Sequence, residues 1–318
     1  MSRVFARASR TSVRTVFSLS DKSLHVDALD LWIDSMQLRR RCYVSHGHSD
    51  HAREHEVVVA TPNTARICRA RFGKRRTSAQ LTLLQTAEPA RPAGVFEERS
   101  FNEPWIEGNH RLTLFSAGHV LGSSQLMIEG EAGRFVYTGD FKLARSATAE
   151  PPEVKTCDVL LMECTFGRPQ YVFPPREEIA GEMIAFARAA LEADAVPVFF
   201  AYSLGKAQEA MSILGEAGIA LTVHGAVDTI AQVYAQCGVE LPPYERYDAD
   251  AFSAGSALIW PPGGKALPRA LRNKQVRTSI LTGWSIDRSA PFRYGVQRGF
   301  ALSDHADYPA LLRYIELA

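Results

Sequence analysis

The sequence predicts an α/β protein with two lobes. In its first half, short apolar runs rich in β-branched residues recur between turn residues, which is typical of the strands of a layered core. From Arg176 onward, helical patterns alternate with apolar runs, which indicates a parallel sheet covered by helices. A chain of 318 residues with 46% hydrophobic content is long enough for one large core and a smaller inserted one.

The first half contains five apolar runs of strand length. They are Cys42–Val44, Arg111–Phe115, Gln125–Ile128, Phe135–Tyr137 and Val159–Met162. We expect them to form the sheets of the first lobe, because β-branched and aromatic side chains suit a pleated surface that is buried on one side.

The second half alternates helices and strands. The expected elements are a helix over Glu177–Ala193, a strand over Val196–Ala201, a helix after Gly205, a strand over Leu221–His224, a helix after Asp228, strands over Ser279–Leu281 and Phe300–Leu302, and a helix over Pro309–Leu317. This order favours βα units and a parallel sheet in the second lobe.

Composition excludes several classes of protein. The five cysteines form no CxxC pair and leave one over, so neither a disulfide framework nor a zinc ribbon is indicated. No apolar run reaches the roughly 18 to 20 residues that a membrane span needs, and the first residues lack the apolar core of a secretory signal. We therefore expect a soluble, cytoplasmic protein.

The net charge is only +1, so binding to a polyanion would depend on an uneven distribution of charge. Three segments contain several basic residues and no acidic one: 1–20, 66–76 and 265–277. The two internal segments could contact phosphates or could be solvated surface. The first segment fits a disordered basic tail that contacts DNA, a helix with four arginines on one face, or an organelle-targeting leader.

A cluster of metal-ligand residues follows the first predicted strand. His46, His48, Asp50 and His51 form an HxHxDH pattern. Residues two apart on a helix point to nearly opposite sides, so this cluster can converge on one ion only from an irregular loop. Imidazole nitrogens favour zinc, whereas the Asp50 carboxylate would also accept manganese or iron. The segment is therefore predicted to be a metal-binding loop.

Two further candidate ligands stand beside glycines, each after a predicted strand. His119 lies in Ala117-Gly118-His119, and Asp140 lies in Thr138-Gly139-Asp140. Glycine lets the backbone pass close to an ion or a substrate. We therefore expect both side chains to take part in the same site.

In order and local context, the residues from His46 to Asp140 resemble the ligand series of metallo-β-lactamase-fold hydrolases. This resemblance implies an αββα sandwich with two divalent ions. It assigns one ion to His46, His48 and His119 and the other to Asp50 and His51, with Asp140 bridging them. Asp34 matches the family's early aspartate that orients metal ligands, a form of support that imidazole ligands need. Asp27 is the competitor for that role.

Later motifs resemble the β-CASP branch, whose members act on nucleic acids. Glu163 lies in its opening acidic motif, residues 197–209 resemble its strand-to-helix segment, and His305 lies in its later histidine motif. The separation of 142 positions between Glu163 and His305 matches the inserted cap of that branch. The implied organisation is a metallo-β-lactamase domain over 1–172 and 291–318 with an α/β β-CASP cap over 173–290.

The resemblance also implies roles for residues outside the metal ligands. His305 would protonate the leaving oxygen or hold the phosphate, and Glu163 would orient His305. Gly205 and Lys206, at a predicted helix start after Ser203, would offer backbone N–H groups and a cation to a phosphate, or be an ordinary helix start. His224 would contact the substrate or pack internally.

Within the branch, the chain is most similar to bacterial ligase-associated DNA exonucleases. This similarity implies hydrolysis of the nucleic-acid backbone by water activated at two metal ions, with DNA as substrate, RNA possible in its place, and DNA ligase and helicase repair proteins as functional partners. No histidine follows His305, where the family commonly supplies a further ligand, so we expect a weakly held second ion. The alternatives are an RNA-processing nuclease, a small-molecule hydrolase and an inactive nucleic-acid-binding relative.

Overall fold

The computed structural model describes residues 17–20, 23–73, 94–252, 255–262, 268, 271 and 273–318. Several basic residues of the three segments 1–20, 66–76 and 265–277 lie outside these ranges: Arg3, Arg7, Arg10, Arg14, Lys74, Arg75, Arg76, Lys265, Arg269 and Arg272. No helix within the described ranges combines the length and the apolar character that a membrane crossing requires.

The chain divides into two compact units. Unit 1 consists of residues 1–145, 149–165 and 310–318, and unit 2 consists of residues 146–148 and 166–309. The αββα layering, and the domain limits at 172 and 290 that the sequence motifs imply, stay predictions.

Unit 1 contains two sheets. The first joins six strands in chain order: β1 (Phe17–Ser20), β2 (Ser23–Val26), β3 (Leu31–Ile33), β4 (Arg41–Tyr43), β5 (Val57–Ala60) and β6 (Val95–Glu98). The second joins five, also in chain order: β7 (Trp105–Glu107), β8 (His110–Ser116), β9 (Ser124–Gly130), β10 (Gly133–Tyr137) and β11 (Val159–Leu161). Helix α1 (Pro62–Gly73) follows β5.

Unit 2 is built on one sheet whose six strands pair in parallel, in the order β14-β13-β15-β12-β16-β17. The strands are β12 (Val196–Phe200), β13 (Leu221–Val223), β14 (Glu245–Arg246), β15 (Ala257–Trp260), β16 (Val276–Leu281) and β17 (Arg298–Phe300). The helices of unit 2 are α2 (Arg176–Glu192), α3 (Lys206–Glu216), α4 (Gly225–Gln236) and α5 (Ala290–Tyr294), whereas α6 (Tyr308–Leu317) belongs to unit 1 from residue 310 onward. The mixed α/β class and the predicted parallel sheet are confirmed.

Each unit has its own apolar core. In unit 1, Tyr43, Leu114 and Leu126 are fully buried in a cluster shared by strands of both sheets. In unit 2, Met183 of α2 and Phe199 of β12 belong to a separate cluster. Strands buried in this way hold the loops that follow them in fixed positions.

Two sequence expectations differ from the structure. The helix expected after Asp228 begins at Gly225, because the Nδ1 atom of His224 accepts a hydrogen bond from the Ala226 N–H and caps it. Helices α1 and α5 and strands β1 to β3, β5 to β7, β14 and β15 were not predicted. These strands are only two to four residues long, which is too short to show a hydrophobic period.

Candidate metal centre

The candidate ligands of unit 1 lie on loops that follow β4, β8 and β10. Strands β8 and β10 both pair antiparallel with β9, so they run in the same direction and end at the same edge of their sheet. The Ser124 N–H donates to the Ser45 carbonyl at 2.9 Å, which ties the loop after β4 to the start of β9. This arrangement brings His46, His119 and Asp140 together from distant parts of the sequence.

His46, His48 and His119 form one cluster that could hold a metal ion, with their ligand atoms all within 4.8 Å of one another. The Nε2 atom of His119 lies 3.0 Å from the Nδ1 atom of His48. Three imidazoles facing a common point are a donor set that suits zinc and related divalent ions.

His46, His51 and Asp140 form a second cluster of the same kind. The Oδ2 atom of Asp140 lies 3.3 Å from His51 Nε2 and 3.6 Å from His46 Nε2. It also lies 3.9 Å from His119 Nε2, a ligand atom of the first cluster. One carboxylate oxygen therefore faces both clusters, as the bridging role predicted for Asp140 requires.

The burial and hydrogen bonding of His46 indicate whether these residues fit a metal ion. His46 is fully buried, and its Nε2 atom has no hydrogen-bond partner among the described residues. Burial, with the neighbouring His51 and His119 rings, holds the pKa of His46 well below its ordinary value. A neutral imidazole with an unused buried nitrogen costs free energy unless a ligand occupies it, so the residues fit a bound cation.

Asp34 fixes the tautomers of two of these histidines. Its Oδ2 atom accepts hydrogen bonds from Ser45 Oγ at 2.6 Å and from His51 Nδ1 at 2.9 Å. A carboxylate only accepts, so the hydroxyl proton of Ser45 points to Asp34, and Ser45 Oγ accepts in turn from His46 Nδ1 at 3.0 Å. Both rings are therefore protonated on Nδ1, and the Nε2 atom of His46 faces the cluster with its lone pair.

Two more groups hold the Asp34 carboxylate in place. The Ser45 N–H donates to Oδ1 at 2.7 Å, and the Tyr137 hydroxyl donates to Oδ2 at 2.9 Å. Burial, together with Asp34, raises the pKa of Tyr137 well above its ordinary value, so the hydroxyl keeps its proton and remains a donor. Asp34 itself has a positive φ of 43°, a conformation that is costly for a residue other than glycine. The competitor Asp27 is exposed and accepts from Ser18 and His25 instead.

The charge around His51 favours a cation. Burial alone lowers the pKa of His51, but the carboxylates of Asp140 and Asp34 outweigh it and hold the pKa well above its ordinary value. A position between two carboxylates is electrostatically suited to a proton or to a metal ion.

Two glycines allow the loops to converge. Gly118 has a φ of 69°, and a side-chain carbon there would lie 2.5 Å from the Lys142 carbonyl oxygen. Gly139 has a φ of 56°, and a side-chain carbon there would lie 2.8 Å from Ser45 Cβ. Any larger residue would push His119 or Asp140 away from the clusters.

Removing the Ser45 hydroxyl should weaken metal binding. In Ser45→Ala, Asp34 no longer orients His46, so we expect a roughly 10- to 100-fold increase in the metal dissociation constant, measured by competition with a chelating dye. Ser35→Ala is the matched control, because the buried Ser35 hydroxyl bonds Ser23 and Gln37 instead. Equal dissociation constants in Ser45→Ala and wild type would refute the orienting role.

Asp50 and Glu163 differ in their surroundings. Asp50 is exposed, and neither cluster described above includes it, so its ligand role stays a prediction. Glu163 is buried, its Oε1 atom accepts from the Phe141 N–H at 2.8 Å, and its carboxylate lies within 4.8 Å of that of Asp140. Glu163 therefore helps to position the loop of Asp140, whereas its predicted action on His305 stays a prediction.

Gly205 and Lys206 of unit 2, which were predicted to bind a phosphate, already make internal contacts. The Gly205 N–H donates to Gln208 Oε1 at 2.9 Å, and the buried Lys206 ammonium forms an ion pair with the buried Asp304. The expectation of free N–H groups and a free cation at this helix start therefore differs from the structure. The reason is that sequence could not reveal a pair formed by residues 98 positions apart.

The other substrate candidates also have neighbours within unit 2. His224 caps α4, as described above, and its ring lies 4.3 Å from that of Trp260. Ser203 is half-buried, and its carbonyl accepts from Gln208 Nε2 at 3.0 Å. The His305 N–H donates to Ser303 Oγ at 3.0 Å, which shapes the loop that carries its ring. Their substrate contacts stay predictions.

Sequence reasoning missed a role for Arg71. It was grouped with a basic stretch, but its guanidinium on α1 donates to the carbonyl of Gly47, inside the metal loop. Replacing Arg71 would therefore disturb the metal loop as well as the surface charge. Arg66, which is exposed on the same helix and bonds Asn63, is the cleaner position for testing electrostatic contact with nucleic acid.

No protein-family model matches the chain. A probable DNA ligase of Opitutus terrae is 37% identical over 294 residues, which are 92% of this chain and 27% of that protein. An RNase J-like protein of Methanocaldococcus jannaschii is 27% identical over 185 residues, which are 54% of this chain and 42% of that protein. Cleavage and polyadenylation specificity factor subunit 3 of Dictyostelium discoideum is 37% identical over 113 residues, or 35% of this chain and 14% of that protein. The chain thus spans less than half the length of each of these relatives.

A solved structure shares the fold. A protein of unknown function from Enterococcus faecalis V583 superposes with a TM-score of 0.53 at 13% identity, covering 87% of this chain and 72% of that one. At this identity the similarity concerns the fold alone.

The homologues of this chain include metallo-β-lactamase nucleases of the β-CASP branch, which confirms the resemblance seen in its motifs. Metallo-β-lactamase nucleases use divalent metals, and this chain carries histidine and aspartate clusters able to bind them. One homologue that matches over most of this chain is described as a probable DNA ligase.

Proposed function

We propose that the chain is a metal-dependent phosphodiesterase that degrades DNA from an end, with unit 2 serving as an inserted cap. The observation that carries the proposal is the carboxylate oxygen of Asp140, which lies within 3.9 Å of a ligand atom of each histidine cluster. That arrangement suits two ions close together, the usual centre for hydrolysis of a phosphodiester.

The metal ions would be held by residues of unit 1. His46, His48 and His119 would hold one ion, and His51 with Asp140 would contribute to the other, with Asp50 as a further candidate. Bound divalent ions supply an activated water and neutralise charge on the phosphate. The chain's own residues orient these ligands through Asp34 and Ser45. Zinc fits the imidazole donors, and manganese or iron fits the carboxylates.

DNA is the preferred substrate in this proposal because the relative that matches over 92% of the chain is described as a probable DNA ligase. We propose a role in processing DNA ends beside ligase and helicase repair proteins. RNA is the second candidate, favoured by the RNase J-like relative from Methanocaldococcus jannaschii, which covers 54% of the chain.

A substrate panel tests the proposal. Labelled single- and double-stranded DNA and RNA, each with a 5′-phosphate or a 5′-hydroxyl, and separately a lactam and a thioester, would be incubated with the protein and manganese or zinc. We expect metal-dependent release of nucleotides from one end of DNA, at a rate above that for RNA. Faster cleavage of RNA would establish the second candidate, and hydrolysis of a lactam or thioester with no cleavage of either nucleic acid would overturn the proposal.

A further inference from the structure

Aromatic side chains of unit 2 form a cluster beside the loop of His305. The ring of Phe166 lies 4.6 Å from that of Trp284 and 5.4 Å from that of Tyr171. Phe166 is buried, whereas Trp284 and Tyr171 are only partly buried. Partly exposed tryptophan and tyrosine rings at a cavity are suited to stacking against a flat ligand.

The two partly exposed rings line an open cavity of about 360 Å³. Its lining residues are Gln170, Tyr171, Trp284, Ile286, Asp287 and Arg293. The cavity therefore combines aromatic and aliphatic faces, on which a base of any kind can stack, with polar side chains.

The cavity wall is attached to the loop of His305. The ring of Phe166 lies 6.1 Å from that of His305. The Tyr308 N–H donates to the Tyr171 carbonyl at 2.9 Å, and the Phe173 N–H donates to Asp307 Oδ2 at 3.0 Å. A group bound in the cavity would therefore lie at a fixed distance from the His305 side chain.

The wall is also closely packed. A side-chain carbon at Gly283 would lie 2.5 Å from Phe166 Cζ, so the ring of Phe166 rests directly on the backbone beside Trp284. The Trp284 N–H donates to Thr282 Oγ1 at 3.4 Å at the start of a short 3₁₀ turn. A preformed aromatic wall loses little conformational entropy when a base binds.

The charges at the cavity suit a nucleotide. Arg293 pairs with Asp287 at 2.8 Å, so this cation stands at the cavity with its guanidinium held in place. An arginine held beside an aromatic wall is suited to contact the phosphate of a strand whose base is stacked.

We propose that this cavity binds a nucleobase of the substrate strand, stacked on Trp284, at a fixed number of nucleotides from the phosphate that His305 is proposed to contact. The inference rests on the proposed nuclease function and deepens it. It assigns to unit 2 the recognition of a single-stranded segment through base stacking, with little preference for sequence.

Abasic substitution tests the proposal. Single-stranded oligonucleotides in which one nucleotide at a time lacks its base would be hydrolysed by wild type and by Trp284→Ala, and kcat and KM would be measured for each. In wild type we expect the missing base at one position to raise KM by roughly 10- to 100-fold. In Trp284→Ala we expect a similar increase in KM for the intact strand and no further increase in KM for the abasic strand.

Controls separate the possible failures. Trp284→Phe keeps a ring and should restore most of the affinity, whereas Phe292→Ala removes a ring that is 93% exposed and does not line the cavity. Thermal melting shows whether each variant is folded. A wild type that cleaves no strand contradicts the proposed function. The proposal is overturned if wild type cleaves the strand but its KM does not change with a missing base at any position. It is also overturned if the increase in KM caused by Trp284→Ala and the increase caused by the missing base combine in full.

Discussion

Replacing Asp140 with alanine should remove nearly all hydrolysis. The Oδ2 atom of Asp140 faces ligand atoms of both histidine clusters, at 3.3 to 3.9 Å. Without this carboxylate neither ion would be correctly placed, and the negative charge that favours a cation beside His51 would be lost. We expect less than a tenth of the wild-type rate, measured as the initial rate of nucleotide release at saturating metal.

Two variants control this experiment. Asp140→Asn preserves the shape of the side chain but removes its charge, so it should lose activity and metal affinity together. Asp158→Asn alters an exposed carboxylate of the same unit that accepts from the Arg134 N–H, outside both clusters, and it should behave as wild type. An Asp140→Ala variant that retains more than about a tenth of the wild-type rate would contradict the bridging role.

Replacing His305 with alanine should reduce turnover while metal binding is kept. We propose that His305 acts on the scissile phosphate, because both metal-ligand clusters described above consist of residues of unit 1 and the resemblance to β-CASP nucleases gives His305 that role. Loss of a positioned proton donor costs about 10² to 10⁴ in rate. Single-turnover kinetics and elemental analysis of the same preparation give both quantities.

The decisive result for His305 is the metal content. His110→Ala is the control, because His110 lies outside both histidine clusters of unit 1. If His305→Ala loses one equivalent of metal, His305 itself is a ligand, and the phosphate assignment is wrong. Glu163→Gln should lower the rate more mildly.

The metal loop could be predicted because its residues are close in sequence. His46, His48 and His51 have only an irregular loop in which to converge, and the structure brings their rings together. The glycines beside His119 and Asp140 also mark close backbone approaches, as expected. Metal binding restricts the residue types and their spacing so strongly that the sequence alone predicts the site.

Contacts between residues distant in sequence could not be predicted in this way. The Lys206–Asp304 pair joins a helix start to the loop of His305 across 98 positions, and it removes the free cation expected there. Arg71 was grouped with neighbouring charges, and no local pattern indicates that it reaches the Gly47 carbonyl. The stacking wall of Tyr171 and Trp284 likewise depends on tertiary packing, which a sequence period cannot show.

The stoichiometry of metal reactivation tests the central claim most directly. The chain would be stripped with a chelator, titrated with manganese or zinc, and assayed on labelled single-stranded DNA while bound metal is counted. We predict no hydrolysis without metal and recovery of activity as one to two equivalents bind, with recovery in His48→Ala only at much higher metal concentration. Full hydrolysis by the stripped chain, or an unchanged titration in His48→Ala, would contradict the account.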